Sequence, residues 1–197
     1  MRLFWDERYG ARDYVYGTRP NAFVEAMAPE IPSGPVLCLA EGEGRNAVYL
    51  AGRGHPVTAV DQSTVGLSKA QRLAEEKGVG LTTLARDLED FTIAPGAWSG
   101  IVATFAHLPP PLRRVVHGQV VRGLVPGGVF ILEAYTAAQV GLGTGGPREP
   151  ELCMSLASLR EELDGLTFEI GREVERLVVE GTGHTGRGAV VQVLARR

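Results

Sequence analysis

The sequence predicts an α/β fold in which a mostly parallel sheet is covered by helices on both faces and finished by an antiparallel hairpin. Three observations carry this. Apolar runs alternate with helical patterns from Pro35 onward, giving β-α-β-α-β order. The runs are continuous Val, Ile and Leu rather than alternating, as in strands buried on both faces. The last thirty or so residues switch to two β-rich runs joined by glycines. At 197 residues the chain is sized for one domain with a full core.

After an amphipathic start, a strand is expected over Pro35–Ala40, a helix over Arg45–Arg53 and a strand over Val57–Asp61. A helix over Thr64–Lys77 follows, with Ser63 as its N-cap, Leu67, Ala70, Leu73 and Ala74 on one face, and Gly78 as a left-handed stop. Leu81–Ala85 reads as the third strand and Ile101–Ala106 as the fourth. The helix Pro111–Leu124 places Leu112, Val115, Val116 and Val120 on one face; the turn "VPGG" leads to strand Val129–Ala134. A helix around Glu151–Leu163 has Leu152, Leu156, Leu159 and Leu163 in register. The runs "TFEIGREVERLVVEG" and "GAVVQVLARR", joined through "EGTGHTGRG", make the hairpin, and Gly141–Pro150 is a loop.

Acids and bases nearly balance, for a net charge of −3. With no run of like charges, neither nucleic acid nor a membrane surface is an expected partner. No apolar stretch reaches membrane-spanning length and the N-terminus lacks a signal peptide's apolar centre, so a cytoplasmic protein is expected. Cys38 and Cys153 have no metal-ligand spacing; two free thiols and no metal site follow.

The stretch "VLCLAEGEGRNAVYLA", Val36 to Ala51, is a strand that breaks into Gly-Glu-Gly before a helix. Glycines there permit a tight turn and let a ligand approach backbone N–H groups at the helix N-terminus. Gly42-x-Gly44-x-x-Ala47 also satisfies the dinucleotide pattern, with Asp61 near the ~20-residue spacing at which a carboxylate accepts ribose hydroxyls. The same glycines could simply shape a βα turn. Asp61 closes the second strand at the carboxyl edge, where open α/β sheets bind ligands, and Asp87 in "ARDLEDF" follows the third strand at that edge, placed to accept an adenine amine. No tyrosine has a lysine four residues later, so the proton-handling pair of a short-chain dehydrogenase is missing and an NAD(P)-dependent oxidoreductase is the weaker reading.

The ordered series "VLCLAEGEGRNAVYLA", "VTAVDQS", "ARDLEDF" and "LVPGGVFILEAY" resembles the motifs of class I S-adenosylmethionine-dependent methyltransferases, and the hairpin resembles their reversed last strand. The lead-in "WDERYGARDYVYGTRPNAFV" narrows the resemblance to the small branch of tellurite-resistance and, more distantly, thiopurine methyltransferases. The resemblance implies a single-domain, Rossmann-like, seven-stranded fold: an N-terminal helical lid over 1–30, a cofactor-binding core over 31–135, and a substrate-side loop, helix and hairpin over 136–197. It implies S-adenosyl-L-methionine as cofactor, with Glu41, Gly42 and Gly44 around the methionine moiety and Asp61, with Gln62 beside it, on the ribose. Asp87 and Leu88 fall at the adenine, while Trp5 and Tyr16 are lid contacts. Arg45 and Asn46 either steady the carboxylate end or begin the helix. Where the family usually has an acid, this chain has Cys38, with Ala40 at the glycine position and Glu41 where cysteine is frequent. Either Glu41 takes over the amino-group contact or that contact is weaker.

Methyl transfer from a sulfonium needs in-line positioning, and a base only if the acceptor is protonated. His107, in "TFAHLPPP" after the fourth strand, is the candidate catalytic group. His184 is expected exposed on the hairpin loop, and His55 and His117 structural or exposed without partners. A small-molecule acceptor is implied, with soft sulfur or selenium favoured by analogy. A non-catalytic S-adenosylmethionine-binding module is the rival that would keep the turn and Asp61.

Overall fold

A computed structural model describes residues 2–197. The elements, in chain order, are α1 (Arg2–Tyr9), α2 (Ala22–Met27), β1 (Val36–Leu39), α3 (Arg45–Gly52), β2 (Val57–Asp61), α4 (Thr64–Lys77), β3 (Thr82–Ala85), β4 (Trp98–Thr104), α5 (Pro110–Gly123), β5 (Leu124–Tyr135), α6 (Leu156–Glu162), β6 (Thr167–Glu180) and β7 (His184–Arg196). One seven-stranded sheet runs in the order β3-β2-β1-β4-β5-β7-β6. Pairing is parallel from β3 to β5; β7 is antiparallel to both its neighbours. Strand order reverses between β1 and β4, so the ligand crevice of such a sheet opens at their carboxyl ends.

Alternate residues of the central strands feed two cores. Leu37, Leu39, Ile101, Ala103, Phe130 and Leu132 pack under α5 and α6 with Val116, Val120 and Leu159. Val36, Cys38, Val102, Val129 and Ile131 meet α2, α3 and α4 through Val24, Leu50 and Leu67. This two-sided burial is the reason the strands read as unbroken apolar runs. Ser63 caps α4 by accepting from Gly66 N–H at 3.0 Å, and Gly78 ends it at φ 67°.

Several expected boundaries shift. Strand β4 starts earlier, at Trp98, and stops at Thr104 because Phe105 turns into the left-handed region at φ 52°. The expected "VPGG" turn is absorbed into β5, whose first residue Leu124 pairs with Trp98 across an irregular register. The helix expected over 151–163 is a 3-10 turn, Pro150–Leu152, followed by α6, because Ser155 and Ser158 cap each other and start a new helix. Cys153 lies in the extended link between them, and both cysteines are free. Val115 is 56% exposed rather than on the buried face of α5. Among the described residues no helix is long and apolar enough to cross a membrane.

His117, expected without a partner, meets the Glu162 carboxylate at 2.7 Å, and Arg113 holds the same carboxylate through Nε and Nη2 at 2.8–3.1 Å. This cluster staples α5 to α6. Burial would raise Glu162, but the His117 and Arg113 groups outweigh it and hold the carboxyl near 2, below its usual 4.5. A depressed acid stabilises the fold above its unfolded value and loses that contribution as pH falls toward 2. We expect Glu162→Gln to cost about 3 kcal/mol in urea unfolding at pH 7. Its thermal midpoint should vary less than that of the parent between pH 4.5 and pH 2.

Candidate active site

The crevice is built first by the β1–α3 turn. Ala40 adopts φ 49°, a left-handed conformation in which a Cβ is strained. Glu41 then folds back over α3, its Oε1 accepting from Asn46 and Ala47 N–H, each at 2.8 Å. It thereby caps a helix whose N-cap, Gly44 at φ 88°, has no side chain to offer. Burial lifts the Glu41 carboxyl to about 7 against the pull of these N–H groups. Gly44 is required by packing: a Cβ there would fall 2.4 Å from that of Ala70 on α4. Asp61 braces the turn from β2, Oδ2 accepting from Gly42 N–H and Oδ1 from Ser63 N–H, both at 2.8 Å, and its burial raises its pKa.

The middle residue of the turn holds the N-terminal segment. Glu43 Oε2 accepts from Val15 N–H at 2.8 Å and Tyr16 N–H at 3.4 Å, while Oε1 accepts from Lys69 Nζ at 2.6 Å. Lys69, itself buried, also donates to the carbonyls of Tyr9, Ala11 and Asp13 at 2.8–3.2 Å. One ammonium thus gathers residues 9–13 onto α4. Trp5 stacks on Tyr9 with centroids 5.5 Å apart, and Tyr9 covers Gly42 closely enough that a Cβ there would lie 2.5 Å from its hydroxyl.

Behind the turn lies a buried ionic knot. Glu133, fully buried on β5, is gripped by Arg176 of β6 through Nε at 3.0 Å and through Nη2, and by Gln192 of β7 at 2.5 Å. Arg176 Nη2 also donates to Glu180 at 3.0 Å, and Arg45 of α3 donates to the other Glu180 oxygen at 2.6 Å. Asn21 Nδ2 donates to both carboxylates at 2.7 and 2.9 Å, while its Oδ1 caps α2 through Phe23 and Val24 N–H. Burial opposes ionisation of Glu180, yet His184, Arg45 and Arg176 hold it down at about 2.

Beside the knot four rings meet. His184 is 6% exposed, not on the surface as expected, because the hairpin folds inward. Its ring lies 4.5 Å from Tyr16, 4.6 Å from Phe105 and 5.3 Å from Tyr135, centroid to centroid. Asn46 Nδ2 donates to Thr104 Oγ1 at 3.0 Å, tying α3 to the residue before Phe105. Among the described residues four side-chain polar atoms are buried without a hydrogen bond: Trp98 Nε1 at the start of β4, and Arg45 Nη1, Gln62 Oε1 and His184 Nδ1.

The geometry corrects the catalytic expectation for His107. Its Nδ1 lies 3.0 Å from Leu152 O, and Tyr135 N–H donates to its Nε2 at 3.3 Å, so both ring nitrogens are spent on backbone. Burial pushes it down to about 4. It orients β5 against the loop before α6 and offers no free lone pair. Of the other expected residues, Glu41, Gly42, Gly44, Arg45, Asn46, Asp61 and Gln62 gather at the turn, with Trp5 and Tyr16 over it. Asp87 is exposed, its Oδ1 accepting from Glu89 N–H, and Leu88 is buried in the core with Ala103 and Leu132. Sequence reasoning missed Glu43, Lys69, Glu133, Glu180 and Arg176. A lone acid inside the apolar run "VFILEAY" was the available signal for Glu133.

Replacing Lys69 by Met strands the Glu43 carboxylate and releases three carbonyls. We expect a loss of about 3–5 kcal/mol in urea unfolding. Tryptic cleavage after Arg12 should also be faster than in the parent protein.

A family described as "Methyltransferase domain" matches residues 36–128. The curated 2-heptyl-1-hydroxyquinolin-4(1H)-one methyltransferase of Mycobacteroides abscessus is 31% identical over 125 residues, 60% of this chain and 55% of that protein. The chain spans about half the length of the curated relatives it matches. Among solved structures, TehB from Haemophilus influenzae superimposes with a TM-score of 0.74 at 19% identity, over 100% of this chain and 66% of the other. A structure concerned with conversion of a disulfide bond into a thioacetal group during echinomycin biosynthesis gives 0.79 at 21% identity, over 100% and 92%. The matched stretch runs from the first residue of β1 into β5 and contains the whole glycine turn. This stretch is therefore similar to a methyltransferase domain, and the sheet as a whole has the Rossmann-like class I fold of these structures.

Proposed function

We propose that the protein transfers a methyl group from S-adenosylmethionine to a flat aromatic small molecule bearing a hydroxyl or thiol. The observation that carries this is the ring cluster of Tyr16, Phe105, Tyr135 and His184, which abuts the glycine turn through the Tyr16–Glu43 and Asn46–Thr104 hydrogen bonds. Aromatic walls select a flat ring. The relative from Mycobacteroides abscessus, whose name gives a hydroxyquinolone as its acceptor, supports the same class. The sulfur or selenium preference implied by resemblance to the tellurite-resistance branch is the softer end of this class.

The residues present fit the cofactor. Arg45 Nη1 is a buried donor in want of an anion, which the methionine carboxylate supplies. Gln62 Oε1 is a buried acceptor beside Asp61 at the end of β2, suited to a hydroxyl or amine of the nucleoside. Residues 1–30 serve as the lid, 31–135 as the cofactor core and 136–197 as the acceptor side.

S-Adenosylmethionine supplies an electrophilic methyl on a sulfonium. The chain's contribution is placement: Tyr9 and Trp5 keep water from the turn, Glu43 and Lys69 hold them there, and the ring cluster presents the acceptor in line. Such positioning is worth about 7–11 kcal/mol when the geometry is near the attack conformation.

Calorimetric titration with S-adenosylmethionine, S-adenosylhomocysteine and NAD tests the reading. Binding of the first two and not of NAD is expected; binding of NAD alone would overturn it. Asp61→Ala should weaken S-adenosylmethionine at least about tenfold, or 1.4 kcal/mol. Loss of the braces to Gly42 and Ser63 should also lower stability by about 1–3 kcal/mol. Unchanged affinity would remove Asp61 from the site.

A further inference from the structure

We propose that His184 is the catalytic base for a protonated aromatic hydroxyl acceptor, with Glu180 as its positioning residue. This rests on the methyltransferase reading and adds where the acceptor's proton goes.

The geometry is that of a carboxylate–imidazole pair packed among three aromatic rings. His184 opens β7 directly opposite Glu180, the last residue of β6, and its Nδ1 lies 3.9 Å from Glu180 Oε2. That separation is within ion-pair range and beyond hydrogen-bond range, so Nδ1 stands buried with no hydrogen bond. Glu180 cannot follow the imidazole freely, since Arg45, Arg176 and Asn21 fix its two oxygens. It therefore selects the tautomer with the proton on Nδ1 and leaves Nε2 as the lone pair. Nε2 faces the glycine-rich loop: a Cβ on Gly145 would lie 3.3 Å from it and 2.5 Å from Cδ2.

The same loop roofs the other rings. A Cβ on Gly146 would meet Tyr135 at 2.6 Å, and one on Gly183, in the hairpin connection, would meet Tyr16 at 2.5 Å. Bare backbone therefore lies directly on three of the four rings, while Phe105 is held in a strained backbone conformation at the end of β4. His107, the other imidazole nearby, has both nitrogens committed, which leaves His184 as the unspent base.

The step balances. The acceptor O–H gives its proton to His184 Nε2 as the oxygen forms a bond to the methyl carbon. The sulfonium S–C bond breaks with its electron pair staying on sulfur, and S-adenosylhomocysteine leaves. The imidazolium is compensated by Glu180 until it returns the proton to water. A thiolate acceptor arrives without a proton and needs no base.

The test uses an isosteric pair of acceptors, 2-naphthol and 2-naphthalenethiol, with the full chain and S-adenosylmethionine at a pH where the thiol is ionised and the naphthol is not. His184→Gln should lose about 100-fold or more on the naphthol and less than about fivefold on the thiolate. Its S-adenosylmethionine affinity, read by calorimetry, should be unchanged, which also reports a folded site. Equal loss on both acceptors, or none on either, overturns the base role. A parent protein that binds S-adenosylmethionine yet methylates neither probe overturns the aromatic-hydroxyl acceptor and leaves the methyltransferase reading standing. Failure to bind S-adenosylmethionine overturns that reading instead.

A pH profile of the parent protein keeps the proposal testable if His184→Gln does not fold. The groups facing His184 are Glu180, Arg45, Arg8, Tyr16, Tyr135 and His107. Burial and the two arginines lower His184 below its usual 6.5, while Glu180 raises it. The naphthol rate should therefore rise with pH to a plateau reached below neutrality. In Glu180→Gln, where that support is lost, the inflection should move to lower pH. A profile with no inflection below neutrality, or one that Glu180→Gln does not shift, overturns the pairing.

Discussion

Two carboxylates that would be costly to bury alone organise the crevice side of this molecule. Glu133 and Glu180 meet Arg176 and Arg45 in a knot whose formal charges cancel, with Asn21 and Gln192 taking up the remaining oxygens. Replacing such a cluster with apolar side chains is often neutral or stabilising, so its value here is in geometry rather than in net energy. It joins β5, both hairpin strands, α3 and the start of α2 at one point. The hairpin consequently folds His184, the first residue of β7, inward and not away from the crevice.

The glycine turn is the second organiser, and its three residues do different work. Gly42 makes room for an aromatic ring, Gly44 lets two helices touch, and Glu43 grips the chain's own N-terminal segment. In β1 Cys38 is sealed in the core with its thiol pushed well above its ordinary range, and the nearest acid, Glu41, is turned onto the first N–H groups of α3. A turn that reads as a ligand cradle is thus equally a junction within the protein.

How far the fold was legible follows from where punctuation is local. Strand β2 and helix α4 match expectation to the residue, because Ser63 and Gly78 mark their boundaries within the segment itself. Strands β4 and β5 do not, since their outer ends are set by pairing between Trp98 and Leu124, residues far apart in sequence. The site divides in the same way. Turn residues and Asp61 can be read from one contiguous motif each, whereas His184 and Glu180 acquire meaning only when the hairpin closes on Tyr16 and Arg45. His107 shows the converse: its position at the sheet edge is visible in the sequence, but the two backbone groups that consume its nitrogens come from Leu152 and Tyr135.

The contact between Gly44 and Ala70 links the deep packing of the domain to its outermost segment. Ala70 adjoins Lys69, whose ammonium collects the carbonyls of Tyr9, Ala11 and Asp13, so the closeness of α4 to α3 also sets the height at which the N-terminal strap rides above the crevice. The strap's seating is thereby governed by a spacer one methyl group thick. Any bulk gained at position 70 would lift α4, carry Lys69 outward, and loosen Tyr9 from the glycine turn without altering a single residue that faces the ligand.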